Sequence, residues 1–330
     1  MNRMKISAPV PFNHCATVVA DGNSVFVAHY GGKQECNADQ HVIVTQITDG
    51  VVREQFHLEE RTGNPVFFKD GAKIRVGYSY FERMDTKNVV ARWAYCSLRV
   101  RELQRDGTGF ELGDPAPVFK DHPQIGFLFR CAPLNHGGAT FLPMYHEGSR
   151  YGVVGKWVDD HVRVVGKIGR KCRSLIQPTL WFDGEKFHAL CRNMAPSTYG
   201  NCSWYSSSPN LRIWSPPLSE ESVTNYNNSL VVVNDGKPDP LIVWNQGRDR
   251  SKLCLGKLYG HSLGRDFCKL NKGTSGSYPN YCFDDAENLH LVWTDMNRAM
   301  GQCDIMLLTL TNKEYLKLRD QKNGPVSLVV

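Results

Sequence analysis

Three arginines, Arg130, Arg192 and Arg298, each stand close to the end of an apolar run. A guanidinium grips a carboxylate or sulfate through two parallel charge-assisted hydrogen bonds, which a lysine cannot reproduce. Five carboxylates, Glu35, Asp39, Glu82, Glu147 and Asp295, hold comparable places and supply acid and base candidates. Tyr145-His146-Glu147 is the most reactive-looking tripeptide. Neighbouring strand residues point to opposite faces, so only one of Tyr145 and His146 can face a common site unless the strand ends there. His14, Asn64, Gln177, Asn228, Asn245 and Tyr278 add amides and rings. For any one of these residues the competing reading is a buried polar tie between strands. Their recurrence at one offset from the apolar runs favours a shared site, and its chemistry suits a polar, acidic ligand.

The elements that must position these groups come from a phrase that occurs six times: a polar start, four or five apolar residues, a Gly-containing turn, and a second apolar run ending in polar residues. It reads HCATVVADGNSVFVAHYGG from His14, GNPVFFKDGAKIRVGYSY from Gly63 and CAPLNHGGATFLPMYHE from Cys131. It returns as IQPTLWFDGEKFHALCRN from Ile176, NNSLVVVNDGKPDPLIVWNQ from Asn227 and SYPNYCFDDAENLHLVWTD from Ser277. Turn markers at Gly22, Gly71, Gly138, Gly184, Gly236 and Glu287 are spaced 49, 67, 46, 52 and 51 residues apart. Short runs rich in Val, Phe, Leu, Tyr and Trp are strands, and Asp-Gly supplies the positive φ of a tight hairpin. A β-repeat of this period predicts an all-β chain folded as a six-bladed β-propeller, with blades of three to four antiparallel strands. The blades fall near 13–60, 61–120, 128–170, 174–216, 223–270 and 276–311, with 312–330 as a C-terminal extension. Third strands are expected at Val42–Thr48, Val90–Val100, Arg150–Val158, Ser203–Ser207, Leu253–Tyr259 and Asp304–Leu310, and a helix over Asn312–Lys322.

Hairpin geometry locates the site. The start of a first strand and the end of its second lie together, opposite the Gly turn. With each first strand innermost, the polar sets converge on one face of a central funnel. His188, Trp181, Trp204, Trp244 and Trp293 read instead as packing between blades.

Composition sets the remaining bounds. The 330 residues are 41% hydrophobic and 22% charged, ordinary for a globular chain, and 11% aromatic with no low-complexity tract, which argues against disorder. The net charge of +6 is spread along the chain. Its densest cluster, Lys167, Arg170, Lys171 and Arg173, reads as a solvated loop, so no nucleic acid is expected. No run is long enough to span a membrane. Eleven cysteines, scattered mostly within strands and lacking CxxC or CxxH pairs, read as free thiols, with no metal and no cofactor. The opening MNRMKISAPVPFNHC has no apolar segment of a secretory signal, so the expected setting is cytoplasmic or phage-associated.

These phrases resemble the sialidase-like superfamily, in particular its BNR-repeat, neuraminidase-like branch. The resemblance rests on HCATVVADG followed by AHYGGKQECNADQHVIV, on GNPVFF, on GGATFLPMYHE, and on QPTLWFDGEKFHALCRN. TNYNNSLVVVNDG from Thr224 and SYPNYCFDD through Arg298 extend it, so that it runs from about His14 to Leu310. It implies a six-bladed propeller and a glycoside hydrolase whose partner is an acidic oligosaccharide or polysaccharide. By position it implies Asp39 as the acid/base carboxylate, with Glu35 second, and Tyr278 as nucleophile. Two departures stand out. The turn motif S-x-D-x-G-x-T-W survives only as SSPNLRIW from Ser207, and the opening Arg-Ile-Pro is replaced by Asn13-His14-Cys15. Three functions therefore stay open: a hydrolase, a polysaccharide lyase using His146 and Tyr145 on uronic-acid polymers, and a non-catalytic glycan-binding or assembly propeller.

Overall fold

A computed structural model describes residues 2–85, 88–106, 109–121, 124–169, 174–224, 230–247, 250–272, 274–297 and 302–320. Among them the chain is all-β, with three short helices, Val89–Ala94, Pro196–Tyr199 and Asn312–Arg319. The repeated phrases form antiparallel hairpins such as Phe12–Asp21 with Ser24–Gly32, and Leu175–Phe182 with Phe187–Asn193. Gly22 and Gly71 turn two of them at φ of +58° and +60°, a region that glycine enters without a Cβ penalty.

Among the described residues the hydrogen-bonded sheets number five, and none closes on itself. The expected six separate blades are not seen as six sheets, because the first and last repeats are fused. Phe12–Asp21 meets Gln302–Leu310 at a single parallel pair, Phe12 with Cys303, while every other pairing in that eight-stranded sheet is antiparallel. The strand Asn2–Lys5 also pairs with Gln302–Leu310, so the first and last described strands share one sheet. The repeats neighbour one another in cyclic order. Phe12–Asp21 lies against Thr62–Asp70 and Ser275–Phe283, Thr62–Asp70 against Phe127–Phe129, Ala139–His146 against Leu175–Phe182, and Val231–Val232 between Leu175–Phe182 and Ser275–Phe283. This ring is consistent with a propeller. The core fills the gaps between neighbouring sheets: Trp181 and Leu190 pack with Ile242 and Trp244, and Trp293 is also fully buried.

One expected strand is not a strand throughout. Val90–Val100 divides into the helix Val89–Ala94 and the start of the strand Cys96–Asp106. A short apolar run does not distinguish the two states by periodicity. Here the helical spacing puts Val89 and Trp93, four residues apart, on one side, where both line a cavity. The helix Asn312–Arg319 opens on a capping box: the Thr311 hydroxyl accepts from the Glu314 amide at 3.3 Å, and the Glu314 carboxylate accepts from the Thr311 amide at 2.9 Å. The ten described cysteines form no disulfide, and Cys172 lies outside the described residues.

The degenerate turn motif still folds as a turn. Asn210 Oδ1 accepts from the amides of Arg212 and Ile213 at 3.0 and 3.1 Å, and Trp214 Nε1 donates to the Leu211 carbonyl at 2.9 Å. That carbonyl rests on Gly166 of the preceding repeat, where a Cβ would lie 2.0 Å from it. Backbone cannot yield as a side chain does, so Gly166→Ala is expected to destabilise the protein by about 2–3 kcal/mol, read as a lower urea midpoint at unchanged slope. An unchanged midpoint would contradict this packing.

Candidate functional site

Four of the first strands carry the same irregularity. Pairing slips between His14 and Thr17, Gly63 and Val66, Ile176 and Thr179, and Ser277 and Asn280. At each slip a residue with a Cβ takes a left-handed backbone: Cys15, Asn64, Gln177 and Tyr278, at φ of +55°, +44°, +52° and +53°. In three of the four the next residue is proline, which has no ladder N–H to lose. A bulge re-aims one side chain, and left-handed residues of this kind cluster where the fold holds a site in place. All four of these side chains line one cavity of about 240 Å3.

Second strands and the loops after them add the charges. Arg192, 6% exposed, donates from Nη1 to Gln177 Oε1 at 3.3 Å. Arg250 donates from Nη2 to the Tyr278 hydroxyl at 3.0 Å, and its guanidinium carbon lies 4.9 Å from the centre of that ring. Glu35 Oε1 accepts from the Tyr30 hydroxyl at 3.4 Å and from Trp93 Nε1 at 3.3 Å. Glu147 is nearly buried; burial raises its pKa, while Arg192 and Arg150 pull the other way. Tyr145 is buried in the same lining, its hydroxyl pushed well up by burial and next by the nearby Glu147. The cavity therefore holds two guanidiniums, two carboxyl groups and three phenols, with Ile176, Met194, Val89 and Trp93 as apolar wall.

Other candidates support this lining without joining it. Arg130, 1% exposed, donates to the carbonyls of Ala16 and Pro279 at 3.4 and 3.3 Å and lies 4.9 Å from the Tyr278 ring centre. His14 packs edge-on against Tyr278 at 4.7 Å, and burial, then Arg250 and Arg130, hold it well below the usual histidine range. Both are braces for Tyr278.

The remaining candidates are not brought to the cavity lining. Asp39 Oδ2 accepts from the Lys33 amide at 3.1 Å, so it pins its own loop. His146 points away from Tyr145, as strand alternation requires; it stacks on Tyr151 at 5.5 Å and accepts at Nδ1 from the Ser149 amide. Asn245 donates to the Gly276 carbonyl at 2.9 Å, tying the fifth repeat to the sixth. Asp295 pairs with Arg3 at 3.5 Å and accepts from the Lys272 amide. Glu82 accepts from the Ser97 hydroxyl at 2.5 Å. Arg298, Asn228 and the basic residues Arg170, Lys171 and Arg173 lie outside the described residues.

Sequence reasoning missed Arg250 and Trp93. The signal for Arg250 was available: it lies five residues past Asn245, in the loop that leaves the fifth second strand. Trp93 was absorbed into an expected strand. Among the described residues no three His, Cys, Asp or Glu side chains group as ligands for a metal ion, and no helix is long and apolar enough to cross a membrane.

No family model and no curated protein matches this chain. Solved structures do. Trypanosoma rangeli sialidase in complex with sialic acid superposes at a TM-score of 0.66 and 14% identity, over 94% of this chain and 56% of that one. The NanB sialidase of Streptococcus pneumoniae, as its K499G mutant, gives 0.62 and 8% over 92% and 69%. Its fold is sialidase-like. A Dyadobacter fermentans protein of unknown function gives 0.70 and 12% over 94% of this chain and 97% of that one. The chain spans little more than half of the trypanosomal enzyme. At these identities the likeness concerns architecture alone.

Proposed function

We propose that this sialidase-like chain is a six-bladed propeller whose axial cavity takes the acidic sugar at the end of a glycan and hydrolyses its linkage. The observation that carries the reading is the meeting of Arg192, Arg250 and Tyr278 in one cavity with two carboxyl groups. Two guanidiniums provide the charged donors a sugar carboxylate needs. The volume, about 240 Å3, suits one sugar unit rather than a polymer stretch. Sialic acid, the ligand of the trypanosomal neighbour, is such a sugar.

Roles follow from the surroundings. The Tyr278 oxygen would bond to the anomeric carbon as the glycosidic C–O bond breaks, in a retaining sequence completed by water. Glu147, with its pKa raised by burial, suits proton donation to the leaving oxygen. Glu35 accepts hydrogen bonds from Tyr30 and Trp93 and would take the phenolic proton. This moves the acid role from Asp39 and Glu35, where sequence placed it, to Glu147. The β-elimination alternative loses support, because its base, His146, stacks outside the cavity lining.

A matched pair of sialosides tests the assignment. Glu147→Gln should lower kcat about 100-fold on an alkyl sialoside and only a few-fold on a 4-methylumbelliferyl sialoside, whose leaving group needs no acid. Tyr278→Phe should abolish both. Equal losses for Glu147→Gln on the two substrates would remove it as the acid. Retained binding with no turnover by the unaltered protein would leave a glycan-binding module.

A further inference from the structure

Glu35 sits between the strands Ser24–Gly32 and His41–Thr48, in a loop that does not hold it alone. The second repeat reaches over to grip that loop. Trp93 Nε1 donates to Glu35 Oε1 at 3.3 Å, and Arg92 Nη1 donates to the Cys36 carbonyl. The indole is 9% exposed and wedged against Phe81, with ring centres 4.6 Å apart. Gln40 closes the loop from beneath, accepting from the Cys36 amide at 2.7 Å and donating to the Thr62 carbonyl at 2.8 Å. Both Trp93 and Gln40 press on Gly63, where a Cβ would lie 2.8 Å from the indole and 2.7 Å from the amide nitrogen.

We propose that Trp93 is a positioning residue that fixes the Glu35 carboxylate at the cavity, so that the site is completed by a clasp between the first two repeats. The step it serves rests on the hydrolytic reading above; the contact itself does not. A long carboxylate side chain in a loop samples many rotamers unless something external holds it. Displacing an acid/base group by about 1 Å is enough to lose roughly 100-fold in rate. Trp93 supplies both a rigid wall and a directed N–H. Phenylalanine keeps the wall and removes the donor, which separates positioning from packing.

The contact is tested first without any sugar. Trp93→Phe identifies the Trp93 indole N–H in a 1H–15N spectrum of the full chain, and the same spectra show that the variant is folded. Glu35→Ala should then move that peak upfield by several tenths of a ppm while the other indole peaks stay. An unmoved Trp93 peak would overturn the proposal. The second arm uses the 4-methylumbelliferyl sialoside: Trp93→Phe should lower kcat about tenfold with KM within twofold. An unchanged kcat, or equal changes in kcat and KM with a lowered melting temperature, would show that Trp93 only packs. If the unaltered protein neither binds nor cleaves the sialoside, the hydrolytic reading falls, and the indole peak still decides whether Trp93 holds Glu35.

Discussion

Arg250→Ala is expected to weaken binding of sialic acid by about 10- to 150-fold, or ~1.5–3 kcal/mol, while the melting temperature moves little. Arg250 leaves the fifth repeat by a loop and reaches the cavity, where its Nη2 meets the Tyr278 hydroxyl at 3.0 Å. A carboxylate bound there would face this guanidinium and that of Arg192. Arg250→Lys should recover only part of the loss, since an ammonium keeps the charge but not the planar fork. Arg130 provides the contrast. It lies against the same tyrosine but is 1% exposed and holds the carbonyls of Ala16 and Pro279. Arg130→Ala should therefore cost about 3 kcal/mol of stability, because it empties a buried polar position between repeats. Calorimetric titration and urea unfolding of the two variants give opposite patterns if these roles are right. A stable, non-binding Arg130→Ala with an unstable, binding Arg250→Ala would reverse the assignment.

The second large effect concerns pH. His29 is fully buried in the first repeat, its Nε2 within 2.8 Å of Asn13 Oδ1. Burial, reinforced by His41 and His57, lowers its pKa from 6.5 to about 3. The unfolded chain takes up a proton there as pH falls through about 6.5, and the folded chain resists it until about pH 3. The stability His29 contributes is thus complete above about pH 6.5 and is lost progressively as pH falls toward 3, up to about 5 kcal/mol in all. His188 and His290, also lowered by burial despite their Asp183 and Asp284 partners, act in the same direction. Urea unfolding from pH 7 to pH 4 should show a steep decline in the native protein. In His29→Gln, whose amide can still donate to Asn13, the decline should be shallower. Parallel curves would show that His29 does not dominate the acid limb.

Much of the site was legible because one local rule repeats. Asn64, Gln177 and Tyr278 were marked as polar starts of apolar runs, and the structure turns each of these places into a bulge facing the cavity. Arg192 was readable as the polar end of a second strand. Residues governed by loop conformation were not readable in this way. Glu35 and Asp39 are four residues apart in a segment without periodicity, and the Lys33 amide on one side, with Tyr30 and Trp93 on the other, decide which carboxylate stays with its loop and which lines the cavity. Arg250 reaches the cavity from a loop of the same kind. The joining of the first and last repeats depends on Phe12 and Cys303, nearly a chain length apart, and no short-range pattern announces such a pair.

The central claim is that the cavity reads a sugar carboxylate, and one titration addresses it directly: calorimetry of the intact protein with sialic acid and with its methyl ester. The account predicts that the acid binds, that the ester binds at least tenfold more weakly, and that Arg250→Ala loses most of its affinity for the acid while treating the ester as the unaltered protein does. Binding of neither ligand, or equal binding of both, would contradict it.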